Sequence, residues 1–372
     1  MKKKILIFDR INSSKFPGGD TVQINAIKDF LINRNYIVVI SNNVMENLSE
    51  YDYVFIFNLT NPLEAYVCMK ACEKYNKPYI LFPVYWNLDK LKMPFQFNIK
   101  SIAKRALPGF VKSFIRANNF LKANKPVVKF LNIKNMELFN ANRCIKYLLK
   151  NAYFVCPNSY AELNHLEDNF NLKRLNKKIR VIYNGIDLKR LDSIQEDDSI
   201  KTKYKLPENY ICCVGGIGPR KNQLNLVKAA NRTEINLILI GKPTEGYEAY
   251  FENIKKIAKD NVYILSHLPQ EEVFKIVKNS KGHIQPSFIE TPGLASLESI
   301  VLGVPIILSN TEPVKEYFKT DGLYCNPHSI KNIEFNLKKL HRGEGVSGVQ
   351  YSKYRDRYRW DSVLFDLIDL LK

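Results

Sequence analysis

Several things are scarce in this sequence, and each scarcity narrows the field. No run approaches the roughly 18 consecutive apolar residues of a membrane-crossing helix, so no segment is expected to span a bilayer. No leader is expected either. Met1-Lys2-Lys3-Lys4 is basic and Ile5-Leu6-Ile7-Phe8 apolar, but the apolar part is short and meets Asp9 at once, so it reads as a first strand. The seven cysteines are scattered and include no Cys-x-x-Cys pair, which fits neither a disulfide framework nor a zinc site. A reduced, cytoplasmic protein is expected. Acid is short relative to base: 37 Asp and Glu against 56 Lys and Arg give a net charge of +19. That excess favours a polyanionic partner such as nucleic acid, phospholipid or nucleotide phosphate. It is also local, because residues 100–150 hold twelve Lys or Arg and the single acid Glu137.

What is abundant is apolar sequence in short pieces. With 45% hydrophobic and 12% aromatic residues, the 372-residue chain can build about two domains, each with its own core. The first half offers strands at Ile5–Phe8, Ile37–Ile40, Tyr53–Asn58, Tyr79–Pro83, Tyr153–Pro157 and Arg180–Tyr183. The second half offers Tyr210–Gly215, Asn236–Ile240, Val262–Leu265, Gly282–Pro286, Pro305–Ser309 and Gly322–Asn326. Runs such as Ile211-Cys212-Cys213-Val214 are apolar at every position, which suits strands of parallel sheets covered on both faces. Strands alternating with helix-length segments, twice over, predict an α/β protein of two doubly wound, Rossmann-like domains facing each other across a cleft. The domains are expected at 1–190 and 191–350, joined in a polar stretch near Leu188–Glu208. The tail from Trp360 has the spacing of an amphipathic helix, and residues 351–372 are expected to complete the first domain.

Parallel sheets bind ligands at the carboxyl ends of their strands, so the loops there come first. Gly18 and Gly19 follow the first strand and enter a helix, where main-chain N–H groups can approach an anion closely. The alternative is a plain tight turn. In the second half, Gly216-x-Gly218-x-Arg220-Lys221 lacks the third glycine of a dinucleotide fingerprint and the Gly-Lys-Ser/Thr ending of a Walker loop. It offers two adjacent cations at a helix entrance, which can hold a diphosphate without a metal, or else a solvated pair on a turn. A third loop carries Glu290-Thr291-Pro292-Gly293-Leu294 and, further on, Glu298. Thr291 as N-cap and Pro292 as first residue predict a helix there, with the N–H groups of Gly293 and Leu294 left for an anion. Glu298, almost two turns on, would then project from the same side about 10 Å away, placed for ribose hydroxyls.

Together, Gly18-Gly19, the Val181–Asp187 segment with Asn184, the Gly216 to Lys221 loop and the Glu290-x7-Glu298 pair closely resemble retaining GT-B glycosyltransferases of family 4. The resemblance covers most of the chain, and the acid pair after a strand ending in Pro286-Ser287 is its specific part. It implies a nucleotide-diphosphate sugar held mostly by the second domain, with a glycan or lipid-linked acceptor and no metal or other cofactor. Arg220 and Lys221 would stabilise charge on the departing nucleotide. Glu290 would fix the sugar, Glu298 the ribose, and Gly18 and Gly19 would close on the phosphate, while Asn184, Gly216, Gly218 and Thr291 to Leu294 complete the donor contacts. The terminal helix would cross back onto the first domain. One departure stands out: similar enzymes often carry a His after the fourth strand, whereas this chain has Pro83-Val84-Tyr85-Trp86-Asn87. Tyr85 is the candidate sugar contact on that side. His283, on a strand, is read as a core residue. No Asp-x-Asp occurs, against metal-dependent transfer of the GT-A kind.

Within the basic stretch, Phe110, Val111, Phe114, Ile115 and Leu121 share a helical face, with Lys112, Arg116, Asn119 and Lys122 mostly opposite. Such a helix suits an anionic membrane surface, on the inner face of the plasma membrane, or simply the surface of the first domain. A nucleic-acid-binding protein is the rival from another class. It lacks a zinc-finger or RNP-like pattern and leaves the acid pair unexplained, so no nucleic-acid partner is expected. A GT-B relative of other chemistry, such as a nucleotide-sugar epimerase, is the second rival.

Overall fold

A computed structural model describes residues 2–11, 13, 18–87, 108–170, 178–291, 293–344 and 351–372. Among these, the residues up to Asn184 and those from Trp360 onward form one compact unit, and Gly185–Arg359 form a second.

The first unit is built on a parallel sheet of β1 (Lys4–Phe8), β2 (Ile37–Ser41), β3 (Tyr53–Phe57), β4 (Tyr79–Phe82) and β5 (Phe154–Val155), in the order β2-β1-β3-β4-β5. Its helices include α1 (Gly19–Ile32), α2 (Pro62–Lys74), α3 (Gly109–Ala123) and α4 (Tyr160–Phe170). The unbroken apolar run of β1 is explained by burial on both faces. Ile5 and Ile7 pack with Ile24 and Ile27 of α1, while Leu6 and Phe8 pack with Met69 and Leu148 on the other side. The second unit holds β6 (Tyr210–Val214), β7 (Asn236–Ile240), β8 (Val262–Leu265), β9 (Gly282–Gln285), β10 (Ile306–Ser309) and β11 (Leu323–Cys325). All are parallel, in the order β11-β10-β9-β6-β7-β8. Among its helices are α5 (Gln223–Ala230), α6 (Gln270–Lys278), α7 (Leu294–Val301) and α8 (Tyr351–Tyr358).

Four expectations are corrected. Arg180–Tyr183 is not a strand: it passes the two-residue β5 with hydrogen bonds from Arg180 N to Val155 O and from Ile182 N to Pro157 O, beside an isolated bridge of Val155 with Ile179. The unit boundaries fall after Asn184 and Arg359 rather than at 190 and 350. Both flanking stretches are tied into the second unit, because Ile186 N bonds Tyr358 O at 2.7 Å and the rings of Tyr354 and Tyr358 stack on Phe318 and Tyr317. The tail is not one helix from Trp360. A single turn (Trp360–Val363) leads into two 3-10 turns that bury Leu364, Leu367, Leu370 and Leu371 in the first unit's core. Three-residue spacing suits a 3-10 helix, whose side chains eclipse at that interval. Finally, α3 packs on its core through Ala117, Phe120 and Leu121, leaving Phe114 and Ile115 exposed. The buried stripe follows 117, 120 and 121, one helical face that excludes Ile115.

Candidate active site

The second sheet reverses its winding between β6 and β9: the chain leaves β6 for β7 on one side and later returns to place β9 on the other. Loops at the carboxyl ends of two such strands diverge and leave a crevice for a ligand. Here those two loops carry the cations and the acids that the sequence singled out.

After β6, Gly215 to Gly218 lead into one 3-10 turn, Pro219–Lys221, and Asn222 then adopts a left-handed conformation to start α5. A side chain at Gly216 or Gly218 would press on Thr244 Oγ1 at 3.2 Å, so both glycines let this loop lie against the one after β7. The β9 loop is stitched alongside. Phe288 N bonds Arg220 O at 2.9 Å, and Asn222 Nδ2 donates to Pro286 O at 3.0 Å.

This stitching brings three charged groups together. Lys221 Nζ donates to Glu290 Oε2 at 2.6 Å, and Arg220 Nη1 lies 3.7 Å from Glu290 Oε1 while donating to Ile289 O at 3.3 Å. Glu290 also accepts from Ser287 Oγ at 2.9 Å and from Thr291 N at 3.4 Å, and Gln285 Nε2 supports Ser287 at 2.9 Å. Burial alone would raise the Glu290 carboxyl, but the charges of Lys221 and Arg220 override it and hold the group at about 2. Glu290 is buried, Lys221 keeps 15% of its side chain exposed and Arg220 keeps 39%. A fixed carboxylate therefore orients one largely covered and one more open cation. Such an array is preorganised to meet a dianion.

The third loop departs from expectation. The helix begins at Leu294, not after Thr291, and its N-cap is Gly293 at φ 85°, a conformation that costs side-chain-bearing residues. A Cβ at Gly293 would also stand 3.0 Å from Glu290 Cγ. Thr291 is thus outside the helix and the two-turn relation to Glu298 fails; Pro292 lies outside the described residues. The N–H groups of Gly293 and Leu294 still donate to no described residue. Glu298, partly exposed on α7, accepts from Gln270 Nε2 at 3.5 Å, and Gln270 in turn accepts from Arg190 at 2.7 Å. Burial pushes its carboxyl up to about 8, with Arg190 opposing. The structure therefore joins Arg220, Lys221 and Glu290 in direct contact and gives Glu298 its own partners on the neighbouring helix. His283, paired across the sheet with Cys212 and Ile306, is fully buried, and its imidazole is held down at about 3 by burial and by Lys221.

Gly18, Gly19, Tyr85 and Asn184 belong to the first unit. Gly18 lies against Asp20, whose carboxylate accepts from Arg10 Nη2 and Asn58 Nδ2, each at 2.9 Å. Asn184 is buried. Tyr85 corrects an expectation: its ring packs on Phe170 and His165 in the interior, so it presents no open face to a sugar. Sequence reasoning missed Gln285, Ser287, Asp20 and Asn58 as partners of these groups. The signal available was a polar residue closing an apolar strand, as Gln285 closes β9 and Asn58 follows β3.

Two parallel sheets, each wound with helices on both faces and each carried by its own unit, define the GT-B fold. Solved structures agree. The Anabaena protein HepE in complex with UDP-glucose matches with a TM-score of 0.67 over 99% of both chains, at 15% identity. Residues 194–357 match the family model for glycosyl transferases group 1. An uncharacterized glycosyltransferase of Methanocaldococcus jannaschii is 26% identical over 91% of this chain and 89% of its own length. The O-antigen chain mannosyltransferase RfbU of Salmonella typhimurium is 25% identical over 59% of each chain. This chain is thus similar to group 1 glycosyltransferases, and the matched domain makes up most of its second unit.

Proposed function

We propose that this enzyme is a retaining, metal-independent glycosyltransferase of family 4. It moves a sugar from a nucleotide-diphosphate donor to a glycan or lipid-linked acceptor in the synthesis of bacterial surface polysaccharide. The observation that carries the reading is the Lys221–Glu290 ion pair, with Arg220 beside it, at the switch point of the second sheet. Arg220 reaches the diphosphate, Lys221 adds its charge, and the N–H groups of Gly293 and Leu294 take a phosphate oxygen. Glu298 accepts from the ribose. UDP-glucose bound to HepE and the mannosyltransferase activity named for RfbU support a nucleotide-sugar donor and a polysaccharide product.

The state of Glu290 supports a same-face route over one through a covalent intermediate. Both of its oxygens are engaged, one by Lys221 and Ser287, the other by Thr291 N with Arg220 nearby. A carboxylate so held is a poor nucleophile. Attack on the donor's own face, with the leaving phosphate oxygen taking the acceptor proton, needs no protein nucleophile and places the developing charge on Arg220 and Lys221.

Thermal-shift screening against uridine, guanosine and adenosine diphosphate sugars tests the donor class. A ligand present at 100 times its dissociation constant adds about 2.7 kcal/mol of stability, so one member of the panel should stand apart. A flat panel would remove the reading. A membrane-associated acceptor is favoured by the surface of α3, where Arg116 and Lys122 are exposed beside Phe114 and Ile115, with Lys125 just beyond the helix. There the enzyme would lie peripherally on the cytoplasmic face of the plasma membrane.

A further inference from the structure

The first unit contains a buried carboxylate that the site above does not use. Glu162, in the first turn of α4, is wholly buried. It accepts the N–H of Tyr85 on Oε1 and the N–H of Asn158 on Oε2, each at 2.6 Å. These donors come from the segments that follow β4 and β5, at the ligand-binding edge of a parallel sheet. No basic side chain among the described residues pairs with it, and burial pushes it up to about 7 against the pull of the two N–H donors. A buried acid without a cation is costly, and protein cores rarely keep one without a use for it.

Two more residues on the same face of α4 grip the same loop. His165 Nε2 accepts from Asn87 N at 3.0 Å, and Asn169 Oδ1 accepts from Asn87 Nδ2 at 3.3 Å. The spacing 162, 165, 169 follows one helical stripe. His165 also stacks on Trp86, ring centroids 4.8 Å apart. The loop held this way is strained: Val84, a β-branched residue, sits at φ 44°. Strain of this kind persists only where surrounding contacts over-determine the backbone.

We propose that Glu162 is a positioning residue for glycosyl transfer, and that with His165 and Asn169 it fixes the 83–87 loop as a substrate-contacting surface of the first unit. The inference rests on the transferase reading above. Replacing Glu162 by Gln turns an amide N–H toward one of two main-chain donors and breaks that bond without changing the side chain's size. His165→Ala releases the loop from its other end and disturbs no buried charge, so it covers the case in which Glu162→Gln fails to fold.

Trp86 reports the loop directly in a Trp360→Phe background, since these are the two tryptophans of the chain. The experiment records Trp86 emission together with steady-state transfer from the nucleotide-sugar chosen by the thermal-shift panel. We expect both variants to shift the emission and to lower kcat at least about tenfold, with KM for the nucleotide-sugar within about twofold of the parent. Unchanged emission overturns the clamp. A shifted emission with undiminished kcat overturns its role in transfer. A parent enzyme that turns over no nucleotide-sugar instead removes the transferase reading itself.

Discussion

Lys221 and Arg220 are adjacent in sequence, share one carboxylate, and should respond differently to substitution. Lys221→Ala takes from the buried Glu290 its closer cation and leaves Arg220 at 3.7 Å, and breaking a buried pair by removing one partner costs up to about 3–5 kcal/mol. Urea unfolding should show that loss for Lys221→Ala and a loss several times smaller for the more exposed Arg220→Ala. Glu298 makes a prediction in pH. Its carboxyl is held up at about 8, so the folded chain binds that proton more tightly than the unfolded chain, whose group titrates near 4.5. The stabilising contribution is present in full below pH 4.5 and is lost as pH rises through 8. Glu298→Gln should remove that part of the decline, which unfolding midpoints at pH 5 and pH 8.5 would reveal.

At the scale of elements, the start of α7 decides where Glu290 points. Gly293→Ala should destabilise by about 1–2 kcal/mol from its left-handed backbone alone, and the new methyl would press on the Glu290 side chain. A thermal melt and a turnover measurement should fall together. If the melt drops and turnover does not, the cap is separable from the site. Here the limits of the sequence are instructive. Thr291-Pro292 is a strong helix-start signal by local preference, yet the chain delays the helix to Leu294, because Glu290 bonds the Thr291 N–H and Gly293 supplies the turn. Strands buried on both faces were legible from their unbroken apolar runs. Arg180–Tyr183 misled because it meets the short β5 through an isolated bridge and single bonds rather than a continuous ladder, and strand pairing is a tertiary property. Glu162 had no signal at all: one acid in a helix looks like any solvated residue until the sheet edge closes over it.

Over the whole molecule, the +19 charge falls into two kinds of cation. Arg220 and Lys221 are committed to Glu290, while the basic stretch has one acid, Glu137, already engaged by Tyr66 and Lys70. Among its described residues Arg116, Lys122 and Lys125 face solvent, and near an anionic bilayer each Lys or Arg contributes about 1 kcal/mol. The 372-residue chain should therefore float with vesicles containing phosphatidylglycerol and not with neutral ones. Replacing Arg116, Lys122 and Lys125 by Glu should abolish flotation while leaving nucleotide binding intact. Equal recovery with both vesicle types would assign the stretch to solvent alone. The two-domain plan was readable because each half repeats the strand–helix alternation. The exact seams were not, since Tyr354 and Tyr358 commit α8 to the second unit through ring stacking that no local pattern announces.

The central claim is that Arg220 and Lys221, oriented by Glu290, receive the diphosphate of the donor. Isothermal titration of the parent enzyme and of Arg220→Ala with the nucleoside diphosphate selected by the panel tests it most directly. Losing a charge-assisted hydrogen bond of about 1.5–3 kcal/mol predicts binding weaker by about 10- to 100-fold in the variant, with its fold intact. Equal affinity in the two proteins would contradict the account.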